Sequence, residues 1–115
     1  MPQEIIKIED KDWYKALIEE CQAIIVEGIF RSRMEVIETY HHLGRRILQE
    51  NDNFEREKIY GKKIAKRVSQ SLGKSSRTIE MAIHFAKKFP ELEEWIGTTK
   101  EGKNLSWHKI VKNYL

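Results

Sequence analysis

The sequence has one cysteine and two prolines in 115 residues, and each scarcity excludes something. Cys21 has no second thiol to pair with, so no internal disulfide forms and a reducing, cytoplasmic setting is expected. Its apolar neighbours at helical spacing suggest a plain buried thiol. Pro2 and Pro90 stand outside the apolar-periodic segments, which leaves helix interiors unbroken. No apolar run approaches the roughly 18 residues of a membrane span. The start, "MPQEIIKIEDKDW", lacks the basic, apolar and cleavage-site succession of a secretory signal. "GKSS" at Gly73–Ser76 lacks the spaced glycine and preceding strand of a phosphate-binding loop, and reads as turn plus cap. There is no repeat, no low-complexity tract, and no convincing alternating strand beyond a short extended arm at Ile5–Ile8.

What is present describes a folded helical domain. Forty per cent of residues are hydrophobic and 34 per cent charged, as in soluble globular proteins. Residues 1–115 are expected to form one all-α domain of four to five helices, with a small wing or hairpin as an option. The net charge of +3 hides a strong polarity. Arg56 to Lys88 carries ten basic residues against Glu57 and Glu80, a balance of +8, which leaves −5 for the rest. A basic face of this kind suits a polyanion.

Apolar spacing predicts a first helix from Asp12 to about Phe30, with Trp13, Ala16, Leu17, Cys21, Ile24 and Ile25 inward and Asp10 or Asp12 as cap. A second series runs through Met34, Val36, Ile37, Tyr40, Leu43, Ile47 and Leu48, and Asn51-Asp52-Asn53 is expected to end it. A third helix starts near Arg56 or Lys58, buries Ile64, Ala65, Val68 and Leu72, and stops at Gly73. Ser75 or Ser76 caps a fourth, which buries Ile79, Ala82, Ile83, Ala86 and Phe89 before Pro90. "ELEEWIG" reads as a short helix or turn, "TTKEGKN" as a loop or hairpin tip, and Ser106 as the cap of a last helix.

The third and fourth helices, about 56–89, carry the pattern of a helix-turn-helix. Val68-Ser69 supplies an apolar and a small residue, Leu72-Gly73 the turn, Ser75 the cap, and Thr78-Ile79 the inward start of the next helix. Lys74 departs from the pattern, since an apolar residue often follows the glycine. A second helix pinned in this way can present its outer face to the major groove of duplex DNA. That face would be Arg77, Glu80, Met81, His84 and Lys88. Arg77 is the chosen base contact, because its fork fits guanine N7 and O6, with Glu80, Met81 and His84 beside it. Ser75, Ser76, Thr78, Lys62, Lys63, Lys66, Arg67, Lys74 and Lys88 would contact phosphates.

The order of "TYHHLGRRILQEN", "YGKKIAKRVSQSLGKS", "SRTIEMAIHFAKKFP" and "LSWHKIV" resembles the helical N-terminal domain of YhcG-like bacterial proteins, which in fuller members precedes a PD-(D/E)xK-type nuclease domain. The likeness covers roughly Met34 to Leu115. Gly44-Arg45-Arg46-Ile47, Tyr60-Gly61-Lys62-Lys63, Ser75, Arg77 and Ile79, Phe89-Pro90 and Leu105-Ser106-Trp107 carry it. His41-His42, Ala82, Ile83 and Ala86 differ from the family's usual residues. The turn is also similar to that of ParB-like partition proteins over about twenty-five residues. The resemblance implies a helical DNA-binding module, without nuclease activity.

Catalytic readings find little. His41-His42 point about 100 degrees apart on a helix, so one is expected inward and one outward rather than both on a metal. Gly44 would then allow a close helix approach. No cofactor is expected, and the chain reads as non-enzymatic. The rival is a protein-interaction module. Trp13, Trp95, Trp107, Tyr14, Tyr40, Tyr60 and Tyr114 either fill the core, the favoured reading, or form an interface. A homodimer or protein partner would use the acidic N-terminal helices, and RNA ranks below DNA for want of an aromatic-lined sheet.

Overall fold

A computed structural model describes residues 7–28 and 32–115. A 3-10 turn at Ile8–Asp10 leads into seven α-helices: α1 (Asp12–Gly28), α2 (Arg33–Leu48), α3 (Asn51–Arg56), α4 (Lys62–Leu72), α5 (Ser76–Lys88), α6 (Leu92–Ile96) and α7 (Trp107–Asn113). No strand occurs among the described residues. The all-α expectation therefore stands, with seven helices among the described residues in place of four to five: α3 forms where Asn51-Asp52-Asn53 is expected to end a helix, and α6 is the short helix that "ELEEWIG" allows. "TTKEGKN", expected as a loop or hairpin tip, is a loop of turns with a 3-10 turn at Gly102–Asn104. Ile8, placed in an extended arm, is buried in the N-terminal 3-10 turn. Ile5, Ile6 and the expected helix end at Phe30 lie outside the described residues.

α1 turns Tyr14, Leu17 and Cys21 into the interior, while Ala16 is exposed. The Tyr14 hydroxyl shares a 2.8 Å hydrogen bond with Ser71 Oγ of α4, and burial holds its pKa above the usual value. Cys21 is fully buried and its thiol is pushed up to about 12, so it is not a nucleophile at neutral pH. Arg46 ties α2 to α1 through Glu20, and also reaches Glu50 at 3.0 Å.

Asn51-Asp52-Asn53 does not end the helical path. After a turn at Gln49-Glu50 the chain re-enters a helix, in which Asp52 sits at the positive end of the dipole and Phe54 is fully buried. Trp13 meets Phe54 edge-on at 5.2 Å, which anchors a helix too short to form alone. α3 then closes in a Schellman motif: Ile59 N–H donates to Phe54 O at 3.0 Å and Lys58 N–H to Glu55 O at 2.9 Å. Lys58, with φ of 59°, occupies the position that glycine usually fills. α4 consequently begins at Lys62, later than its apolar spacing predicts.

Two apolar clusters hold the helices. One joins Tyr14, Leu17, Cys21, Leu43, Ile47, Phe54, Val68, Ile79 and Ala82. The other gathers Ile37, Phe85, Leu105 and Ile110, with Phe89, Trp95, Trp107 and Tyr114 around them. Six of the seven singled-out tryptophans and tyrosines pack into or against these clusters. Tyr60 does not. Phe85, absent from the expected core list, is fully buried among His41, Phe89, Trp95 and Trp107. α5 is thus covered on two sides, by α2 and by the C-terminal helices.

Among the histidine pair, His41 is buried and His42 exposed. His41 Nε2 lies 2.7 Å from Phe89 O, where the neutral ring donates its N–H to the carbonyl. Desolvation lowers the His41 pKa, the Phe89 bond opposes this, and Arg45 and His42 add to the lowering. The unfolded chain therefore takes up this proton first as pH falls. Stability present above about pH 6.5, the ordinary histidine value, is lost below it until the depressed folded pKa is passed. Urea midpoints at pH 7.5 and pH 5.5 should show that fall, and His41→Gln should reduce it. An equal fall in both proteins would place the effect elsewhere.

Candidate nucleic-acid interface

α4 stops because Gly73 turns left-handed, with φ of 68°, and the Lys74 N–H folds back to Ser69 O at 3.0 Å. Ser75 then caps α5, its Oγ accepting from Thr78 N–H at 3.1 Å. The connection is only Gly73-Lys74-Ser75, so α4 and α5 are neighbours by construction. Val68 and Ser69 are both buried beside it.

α5 presents three sides. Ile79, Ala82, Phe85 and Ala86 face the interior. Arg77, His84 and Lys88 are exposed, and Glu80 and Met81 are half-buried at the edges of that outer strip. Lys62, Lys63, Lys66 and Arg67 are exposed on α4. From Lys58 to Ile79 the chain carries seven basic residues and no acidic one. Among the described residues no carboxylate lies within ion-pair distance of Lys58, Lys62, Lys63, Lys66, Lys74 or Arg77.

The two helices share a groove of about 320 Å³. Gly61 and Lys62, Glu80, His84 and Lys87 supply its polar lining, and Ile47, Leu48, Ile64, Ala65 and Ile83 its apolar lining. Lys74 lies apart, at an apolar cavity of about 180 Å³ on the other flank of α5, with Val36, Tyr40, Leu43 and Thr78.

Several side chains expected at phosphates are already engaged. Arg67 pairs with Glu9 at 3.2 Å, an exposed contact of little strength. Lys88 donates to Tyr114 O at 2.6 Å and stands over the Phe89 ring. Ser75 and Thr78 share a 2.8 Å hydroxyl bond. Ser76 is exposed and outside these bonds. The expected residues thus separate into a cluster on α4 and the outer α5 strip, which adjoin, and Lys74 and Lys88 at its margins.

Sequence reasoning passed over Lys87, which lines the groove one turn beyond His84. Its spacing from Glu80 and His84, seven and three residues, would have found it. It also passed over Lys58, hidden because the turn reads as the start of a helix, and weighed Tyr60 only as a core or protein-interface residue. No group of three or more potential metal ligands occurs among the described residues. No described helix is long and apolar enough to cross a membrane. No protein-family model, curated protein or solved structure matches this chain.

Proposed function

We propose that the chain is a non-enzymatic DNA-binding module, in which α4 and α5 act as a helix-turn-helix and α5 reads the major groove. The observation that carries this reading is the acid-free run from Lys58 to Ile79, which folds into one helix, a tight turn and the start of a second helix with its outer side open. Such a surface neutralises phosphates on both sides of the helix that it holds in the groove. The motif resemblance to YhcG-like and ParB-like modules agrees with it. Among the described residues Tyr60 is the one exposed aromatic side chain left to favour a protein-interaction module.

Within this reading Arg77 occupies the base-contact position. It lies in the first turn of α5, is exposed, and has no carboxylate partner among the described residues. His84 follows two turns later on the same side, and Glu80 stands at the edge to accept from cytosine or repel other bases. Sites selected from a random duplex pool by the wild-type protein supply the test. Arg77→Ala should weaken binding to the selected site about tenfold more than to random duplex. Equal losses on both would remove Arg77 from base reading.

A further inference from the structure

We infer that the turn Lys58–Gly61 is a second contact element for the sugar-phosphate backbone, with Lys58 and Tyr60 as its contacting side chains. The inference rests on the DNA-binding reading and extends the contact surface beyond the two helices. Its first ground is Tyr60. The side chain is 57% exposed, whereas the other singled-out tryptophans and tyrosines are packed against the clusters. Its hydroxyl has one contact among the described residues, to Glu55 O at 3.5 Å, the outer limit of a hydrogen bond. A tyrosine held outward in this way offers a donor to phosphate and a ring to deoxyribose.

The second ground is Lys58. Its left-handed conformation favours glycine, and a side chain there is strained. The fold would be better served by glycine, so the lysine stands against the conformational preference of its position. An exposed cation with no carboxylate within ion-pair distance among the described residues gives nothing back to the fold. It does suit a polyanion. The third ground is placement. Gly61 and Lys62, which follow Tyr60 directly, line the same groove as Glu80, His84 and Lys87 of α5. Lys58, Lys62 and Lys63 flank Tyr60 along the chain, and the turn leads directly into the groove that α5 lines. A duplex lying along the outer strip of α5 meets the turn with its backbone.

The two residues make separable predictions. Lys58→Gly should raise the melting temperature by about 3 °C, by relieving the left-handed lysine. It should also weaken binding to random duplex and reduce the salt slope by about one unit, since one phosphate contact is lost. Tyr60→Phe should weaken duplex binding about fivefold and leave the slope unchanged, because a neutral hydroxyl releases no counterion. Tyr60→Ala should weaken it further.

Unchanged duplex affinity in Lys58→Gly and in both Tyr60 variants would overturn the inference while leaving the helix-based reading intact. A Tyr60→Ala loss confined to single strands would also overturn it, since the ring would then stack on unpaired bases. Failure of the wild-type protein to bind duplex would remove the underlying reading itself.

Discussion

Gly44→Ala is expected to destabilise the protein by about 3 kcal/mol and to lower its melting temperature by about 12 °C. The cause lies in how α2 meets α5. A Cβ at position 44 would stand 2.0 Å from the backbone oxygen of Ala82, 2.6 Å from its carbonyl carbon, and 2.9 Å from the Ala86 Cβ. Two of these three atoms are backbone, so no side-chain rotation relieves the clash. The helices must separate, and the layer containing Ile79, Ala82 and Phe85 loosens with them. Because α5 is the displaced element, Gly44→Ala should weaken duplex binding on every sequence as well. Thermal melting and urea unfolding monitored by tryptophan fluorescence check the first effect. A change below about 0.5 kcal/mol, the size of an ordinary surface substitution, would mean that α2 and α5 do not approach this closely.

Reversing charge on α4 should produce the largest change in binding with almost none in stability. Lys63 and Lys66 are exposed and lie outside every ion pair among the described residues. Their removal breaks no side-chain hydrogen bond or ion pair among the described residues, and Lys63→Glu with Lys66→Glu should leave the stability within about 0.5 kcal/mol of wild type. The same double variant should lose about 100-fold or more in affinity for any duplex at low salt, and about two units of salt slope. The two readouts together matter. A loss of affinity accompanied by unfolding would say nothing about the interface, whereas retained affinity in a stable double variant would take α4 out of contact with phosphate.

Much of the fold was legible because local chemistry and tertiary packing agree. Gly73, Ser75 and Ser106 terminate or cap helices as their side chains dictate, and Ser75 and Ser106 each accept a backbone N–H three residues on. The His41-His42 pair divides inward and outward, and Gly44 sits at the close approach, both as the 100-degree step of a helix requires. What remained hidden depends on distant partners. Nothing local says that three consecutive Asn and Asp residues will continue a helix; burial of Phe54 against Trp13 and Tyr14 decides it. Phe85 was missed because a single apolar stripe was assumed for α5, whereas the α6–α7 end covers a second one.

The candidate site was legible to a similar depth. The outer strip of α5 follows from spacing alone, and Arg77 and His84 occupy it. The engagement of Arg67 by Glu9 and of Lys88 by Tyr114 does not follow, since the partners lie 58 and 26 residues away. The turn at Lys58–Gly61 was obscured by a lysine in a glycine conformation, which no propensity rule anticipates.

The central claim is that the acid-free α4–α5 surface binds duplex DNA through its phosphates. Fluorescence anisotropy of a labelled random-sequence duplex, titrated with the wild-type protein across a series of salt concentrations, tests it most directly. Five lysines without carboxylate partners among the described residues, Lys58, Lys62, Lys63, Lys66 and Lys74, predict binding at low salt that weakens with a log–log slope of about −4.5. No binding at the lowest salt, or binding indifferent to salt, would contradict the account and leave α4 and α5 a purely structural pair.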